Sequence, residues 1–168
     1  LVGSEMCIRD SSVAIDGATI VVGAYVDQGQ TGAAYVFRTT DGWSTYTEIK
    51  LTAPDAASDD HFGKSVAIDG DTVAISGGGS VYIFRTTDGG GTWSQVAKLV
   101  TSDGVSIGKP AISGDIVVAG ASGDDSFANN AGSAYVFSLH APTSQPTVSP
   151  APSPLPSPAP TTTPTPRS

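Results

Sequence analysis

The sequence has little of several features on which common protein classes depend. Its one cysteine, Cys7, lies among the first ten residues, which share nothing with the rest. Lys and Arg number 8 against 16 Asp and Glu, so the formal net charge is −8. Nucleic acids and anionic membranes bind basic surfaces, so this balance excludes both as partners. No apolar run approaches the roughly 18 residues that cross a bilayer, so no membrane span is predicted in this stretch.

Helical periodicity is also missing, because no stretch repeats its apolar residues every three to four positions. We therefore expect essentially no helix. All 20 glycines lie at or before Gly132, whereas 10 of the 12 prolines lie at or after Pro142. Residues 141–168 hold mainly Pro, Ser, Thr and Ala, with too little apolar surface for a core. This segment is predicted to be a disordered Pro/Ser/Thr-rich tail, either an O-glycosylated stalk or an unmodified linker.

Residues 1–10, LVGSEMCIRD, do not read as part of the fold. They lack both the basic start and the long apolar centre of a signal peptide. Residues 6–10 resemble the translation of a sequencing adapter, which predicts that the segment is an artefact or unstructured. The rest of the chain then has no thiol, so cysteine usage does not indicate a redox compartment.

Residues 11–140 contain one unit repeated about every 50 residues, a period typical of propeller blades. SVAIDG at residues 12–17 returns at residues 65–70, and a weaker copy, AISGD, begins at Ala111. AYVF, VYIF and AYVF follow the three copies in turn. In each of these, a tyrosine and a phenylalanine stand two positions apart and therefore on one face of a strand.

Each copy begins with two β-branched runs separated by a short Gly-containing turn, which is a strong hairpin signal. The second run is apolar at consecutive positions, which predicts a strand buried on both faces between stacked sheets. A connection of variable length, a third strand, a turn and a fourth strand complete the blade. The sequence thus predicts an all-β fold, a partial β-propeller of about two and three-quarter four-stranded antiparallel blades. Propellers usually close with about four to eight blades, so we expect a fragment that stacks against the remaining blades of the same propeller.

A family resemblance rests on two stretches, HFGKSVAIDGDTVAIS at residues 61–76 and SVAIDGATIVVGAY at residues 12–25. Together they resemble the FG-GAP repeat, the blade of the seven-bladed propeller in integrin alpha chains and many extracellular proteins. Phe62 and Gly63 form the first element of the name, and the third copy has Ile107 with Gly108 instead. The resemblance covers residues 11–140 and implies propeller blades in an extracellular or cell-surface protein.

Calcium is the one ligand that the resemblance implies. Members of the family often bind Ca²⁺ through an Asp-rich loop between the first and second strands. Here those connections are too short to supply six or more oxygens, so we expect ordinary hairpin turns there. The loop at residues 123–130 is longer, and its Asp124, Asp125 and Asn129 could offer oxygens to calcium. The alternative is a solvated loop in which Asp and Asn simply tolerate the turns.

A second resemblance lies in TTDGGGTW at residues 86–93, which fits the Asp-box hairpin of sialidases and other propellers, with a partial copy at residues 39–46. That box is structural: its aspartate accepts backbone N–H groups and its aromatic residue packs between sheets. Arg38 and Arg85 occupy equivalent places in successive repeats, so they diverge instead of forming the arginine cluster of a sialidase. The sequence contains no nucleophile, zinc or phosphate-loop motif. We expect no enzymatic activity and no catalytic residue.

These observations favour a non-enzymatic extracellular or cell-surface module for interaction or adhesion. We expect it to bind a protein or glycan through the long connections at one end of its blades. The alternative is an accessory propeller of a secreted hydrolase whose catalytic residues lie outside this stretch.

Overall fold

Repeated hairpins build this protein, because a short Gly-containing turn lets two β-branched runs pair antiparallel. The computed structural model describes residues 12–125, 131–140 and 147–148. The elements in chain order are β1 (Ser12–Asp16), β2 (Thr19–Ala24), α1 (Asp27–Gln30), β3 (Ala33–Arg38), β4 (Thr47–Leu51), β5 (Val66–Asp69), β6 (Thr72–Gly77), β7 (Ser80–Arg85), β8 (Ser94–Leu99), β9 (Gly108–Ser113), β10 (Ile116–Ala121), β11 (Ser133–Ser138) and β12 (Thr147–Val148).

The strands form three sheets, each built from four consecutive strands in antiparallel order. We name them the first blade (β1 to β4), the second blade (β5 to β8) and the third blade (β9 to β12). α1 is a single turn in which Gln28 and Gly29 have positive φ angles, so it is not a regular helix. The predicted all-β array of propeller blades with almost no helix is confirmed.

The third blade differs from the prediction at its outer edge. Sequence reasoning expects three strands there and a tail without structure after residue 140. Instead Thr147–Val148 pairs with β11 as a fourth strand, opposite Val136 and Tyr135. The other residues of the predicted tail, and the predicted artefact at residues 1–10, lie outside the described residues.

Side chains alternate along a strand, so each blade has two faces. We name the face with the tyrosine and phenylalanine of its third strand the aromatic face, and the opposite one the aliphatic face. The aromatic face of the second blade packs on the aliphatic face of the first, bringing together Val66, Ile68, Val73, Ile75, Tyr82 and Phe84 with Val21, Ala34 and Val36. The third blade packs on the second in the same way.

The second blade therefore lies between two others, and β6 is at its centre. All six residues of β6 are buried, with Val73 and Ile75 towards the first blade and Ala74 towards the third. Burial of one such valine or isoleucine side chain stabilises the fold by about 1.5–3 kcal/mol. The prediction of a strand buried on both faces is thus confirmed for β6. It is wrong for β10, where Val118 and its alternate neighbours are exposed, because no described sheet covers that face.

Phe62 and Gly63 fill the junction between the first two blades. The Phe62 side chain is fully buried, and its ring meets the Tyr82 ring edge-on at 5.3 Å between centroids. Gly63 has a φ of +91°, and a Cβ there would overlap the carbonyl oxygen of Ala33. A Cβ on Gly23 of the first blade would overlap the backbone of Gly63. The two blades thus meet backbone to backbone, which glycine alone permits.

Two hairpin aspartates also join the blades. The carboxylate of Asp16 accepts the N–H of Gly70 in the next blade at 2.6 Å. Asp69 accepts the N–H of Gly114 in the same manner, one blade further on. Sequence reasoning assigns these aspartates to turns alone; the structure shows that each one also bonds the following blade.

Candidate functional site

Antiparallel topology separates the connections of the blades into two ends. The hairpins β1–β2 and β3–β4 and their equivalents lie at one end, which we name the turn end. The β2–β3 connections and the segments that join successive blades lie at the other, the loop end. The loop end holds connections of variable length: residues 25–32, 52–65, 78–79 and 100–107, and the described residues 122–125 and 131–132. It is therefore the end at which a binding surface can be built from several loops.

At the loop end of the first blade, the half-buried Tyr35 contacts two charged side chains. The Tyr35 hydroxyl donates to Asp27 Oδ2 at 2.9 Å, and Lys50 Nζ lies 2.6 Å from the same oxygen. The Lys50 ammonium also stands over the Tyr35 ring, 5.5 Å from its centroid. Lys50 holds the pKa of Asp27 below its ordinary value, and burial raises the pKa of Tyr35. This arrangement fixes the loop that contains Asp27 to the strands.

The second blade repeats the arrangement with an aspartate from a different segment. Lys98 Nζ lies 2.6 Å from Asp55 Oδ2 and 4.9 Å from the centroid of the Tyr82 ring. Asp55 precedes β5, so the aspartate comes from the connection between the blades and not from the β2–β3 loop. The neighbouring Lys98 lowers the pKa of Asp55, and burial raises the pKa of Tyr82.

The third blade combines both aspartate positions. The Tyr135 hydroxyl donates to Asp103 Oδ2 at 2.9 Å and lies 3.4 Å from Asp124 Oδ2. In the first two blades the residue of the fourth strand that pairs with this tyrosine is a lysine, whereas in the third blade it is Val148. Burial, followed by the Asp103 hydrogen bond, raises the pKa of Tyr135 to about 12. Tyr135 is therefore neutral, and its one hydroxyl group lies within hydrogen-bond distance of two carboxylates.

The predicted calcium ligands are only partly brought together. Asp124 is buried beside Tyr135, Asp125 is exposed, and Asn129 lies outside the described residues. Within the described ranges, no group of three or more His, Cys, Asp or Glu side chains could hold a metal ion. The calcium site stays a prediction, and the observed partners of Asp124 include a phenol that sequence reasoning did not assign to it.

A further contact joins two loops of the loop end. His61 Nε2 lies 3.0 Å from Gln30 Oε1, and its Nδ1 lies 2.6 Å from the Asp59 carbonyl oxygen. The imidazole also stacks at a tilt on Tyr25, with 5.5 Å between the ring centroids. The predicted loop histidine is thus part of a small platform formed by Tyr25, Gln30 and His61 between the first two blades.

The turn end carries the two Asp-box hairpins. Asp88 accepts the Thr92 N–H at 2.9 Å and the Thr92 hydroxyl at 2.7 Å, as the pattern predicts. Trp93 packs against the core between the first and second blades. Trp43, in the other hairpin, is exposed.

Arg85, also at the turn end, forms an ion pair with the third blade, because its Nη2 lies 3.1 Å from Asp115 Oδ1.

The residues of the tyrosine clusters are those that sequence reasoning missed. The tyrosines were visible as repeat markers, and Lys50 and Lys98 follow them at nearly equal distances along the chain. That pairing could have been found. The aspartates could not, because Asp27, Asp55 and Asp103 come from loops of different lengths at different places in the repeat.

The sequence profile of the FG-GAP repeat matches residues 11–37, 46–84 and 110–137, together more than half of the chain. The chain is an FG-GAP repeat protein. FG-GAP repeats are generally non-catalytic propeller modules and are usually extracellular. No helix of the described residues is long and apolar enough to span a bilayer.

This FG-GAP repeat protein was also compared with curated proteins and with solved structures. A search of curated proteins gives no significant match. Among solved structures, the crystal structure of the computationally designed Ika4 protein is similar, with 18% identity and a TM-score of 0.49. The match covers 81% of this chain and 69% of the designed protein. Values this low support no inference about function.

Proposed function

We propose that this FG-GAP repeat protein is a non-enzymatic extracellular or cell-surface interaction module that binds a protein or glycan through its loop end. The observation that carries the proposal is the construction of that end. Its loops are long, and side-chain contacts hold them in place on a rigid stack of blades. Among the described residues, the turn end consists of two-residue turns and the two Asp-box hairpins at residues 39–46 and 86–93. Surfaces built from several fixed loops on a rigid scaffold are typical binding sites.

The platform of Tyr25, Gln30 and His61 is the best-defined part of this surface. It combines the Tyr25 and His61 rings with the Gln30 amide. The His61 ring contacts both of the other side chains. Aromatic side chains give a large contact area at a low cost in conformational entropy, and they stack on sugar rings as readily as on protein side chains. The platform lies where two loops of successive blades meet, so a ligand there would contact both.

The net charge of the chain limits the classes of partner that it can bind. With a formal net charge of −8, the protein repels strongly acidic partners and attracts basic ones, whereas a neutral partner meets no net repulsion. We therefore propose a protein surface or a glycan without many acidic groups.

A binding screen against cell-surface ectodomains and glycans tests the proposal. Tyr25→Ala and His61→Ala should weaken capture of a ligand by about tenfold or more, as expected for anchor residues. Trp43→Ala is the matched control, because it removes an exposed aromatic side chain at the turn end. Equal loss of binding in the control, or no ligand at all for the intact chain, would contradict the proposal. Turnover of a captured glycan by this chain would also contradict a non-enzymatic module.

A further inference from the structure

Arg38 and Arg85 hold equivalent places in successive blades, opposite Thr19 and Thr72 in their sheets. Arg85 Nε donates to Thr72 Oγ1 at 3.1 Å, and its Nη2 pairs with Asp115 of the third blade. Arg38 Nη1 donates to Thr19 Oγ1 at 3.2 Å, but its Nε is buried without a hydrogen-bond partner. Among the described residues, no carboxylate forms an ion pair with Arg38. Its guanidinium is therefore a cation that this part of the chain leaves unneutralised.

A glycine in the Asp-box hairpin of the second blade makes room for Arg38. The Gly90 N–H donates to Thr86 Oγ1 at 2.8 Å. In the first blade the Trp43 N–H makes the same bond to Thr39, so Gly90 takes the place of Trp43. A Cβ on Gly90 would lie 2.5 Å from Arg38 Cδ. The Arg38 side chain thus lies against the bare backbone of the hairpin, where a larger residue would meet it.

A cavity of about 220 Å³ lies beside Arg38, between the two Asp-box hairpins. Thr40, residues 45–47 of the first blade and Gly89–Gly91 of the second blade line it. Among these described lining residues, Arg38 alone is charged, and the half-exposed Tyr46 adds an aromatic wall. Pockets for drug-sized ligands have volumes of about 300–1,000 Å³, so this one suits a smaller molecule.

We propose that this cavity binds the carboxylate of a small molecule, with the Arg38 guanidinium as its partner. A guanidinium presents a planar fork of N–H groups that matches a carboxylate and forms charge-assisted hydrogen bonds with it. A dianion such as phosphate fits less well, because Arg38 supplies a single positive charge and the hairpin carboxylates of Asp41 and Asp88 repel a second negative one. The site lies at the turn end, so it is separate from the binding surface proposed for the loop end.

NMR titrations of the isotope-labelled full chain test the proposal. Glucuronate has its carboxylate on a sugar ring, and N-acetylglutamate amide has it on an amino-acid side chain, so the tighter of the two identifies the source of the ligand. At least one of them should shift the amide resonances of Gly89–Gly91 to saturation, and inorganic phosphate should bind more weakly. Glucose and N-acetylglutamine amide are the neutral counterparts and should cause no shift. Absence of a shift with both carboxylates, an equal shift with a neutral counterpart, or tighter binding of phosphate would overturn the proposal.

Variants of the two equivalent arginines assign the binding to Arg38. Arg38→Gln should weaken carboxylate binding by about tenfold or more, because it removes a hydrogen bond between charged groups. Arg38→Lys keeps the charge without the planar fork and should bind with intermediate affinity. Arg85→Gln is the matched control and should bind as the intact chain does, since Asp115 already pairs with Arg85.

Amide dispersion in the same spectra shows whether each variant is folded. If Arg38→Gln does not fold, Arg38→Lys decides, because full affinity without the guanidinium fork would contradict the assignment. Full affinity in a folded Arg38→Gln, or an equal loss in Arg85→Gln, would contradict it too.

Discussion

Gly63 shows how one residue without a side chain sets the distance between two blades. Its φ of +91° lies in the region that favours glycine, and the Ala33 carbonyl occupies the space where a Cβ would be. Phe62, beside it, fills the remaining volume with a fully buried ring. Within this one element, Gly63 therefore allows the close approach of the two blades, and the Phe62 ring fills the space left between them.

Gly63→Ala should destabilise the protein by more than about 3 kcal/mol, since it adds a steric overlap with backbone to the cost of a positive φ. Urea unfolding measures the loss. Gly17→Ala is the control, because Gly17 also has a positive φ but a Cβ there would meet nothing within 4 Å. That change should cost only about 1–2 kcal/mol. Similar losses in the two variants would show that the close approach of the blades does not matter.

At the scale of elements, the Asp-box hairpins are held by ionised aspartates. The Thr45 backbone N–H, with the Thr45 hydroxyl second, lowers the pKa of Asp41 from 3.8 to about 2. Because the folded pKa is lower than the unfolded one, the stabilisation is complete above about pH 3.8 and is lost as the pH falls towards about 2. Asp88 has the same contacts and also a lowered pKa.

An NMR titration of the aspartate carboxyl groups should place the Asp41 midpoint near pH 2. Thr45→Val removes the hydroxyl and keeps the backbone N–H, so it should raise that midpoint part of the way to 3.8. Asp88 in the same sample should not move, because its partners are Thr92 and Thr86. A normal Asp41 midpoint in the intact protein would contradict the hairpin geometry.

Calcium binding by the loop after β10 is a further prediction. If Asp124, Asp125 and Asn129 bind calcium, millimolar Ca²⁺ should raise the melting temperature more than Mg²⁺ does, because only the folded state has the site. Asp124→Asn should remove that rise. Asp27→Asn is the matched control in the first blade, where Lys50 already pairs with the carboxylate. No calcium-dependent shift in the intact chain would end the calcium prediction.

The sequence predicts a structural feature well where residues close together in the chain determine it, and poorly where separate segments must meet. The turn chemistry of Asp69-Gly70 and its equivalents predicts where each hairpin turns, because a hairpin is specified by neighbours in the chain. The Phe62-Gly63 element was recognised for the same reason. Tyr135 with Asp103 and Asp124 could not be predicted, since their contact depends on how three separate segments fold over the blade.

At the scale of the whole molecule, stability lies between the blades more than within them. Ile75 has no exposed surface because it packs on the first blade, whereas Ile15 is 66% exposed on the equivalent face of the first blade itself. Ile75→Ala should therefore cost about 2–5 kcal/mol. Ile15→Ala should change the free energy of unfolding by no more than about 0.5 kcal/mol. Equal costs in urea unfolding would show that the blades are stable independently of one another.

The hairpin aspartates that bond the following blade have a consequence for the evolution of repeat proteins of this kind. The second unit brings the Asp69 carboxylate for the neighbour ahead and the Gly70 N–H for the neighbour behind. An in-frame duplication of this unit would therefore insert a sheet that already fits on both sides. Gene duplication can lengthen this array one unit at a time, with no compensating substitution elsewhere in the protein.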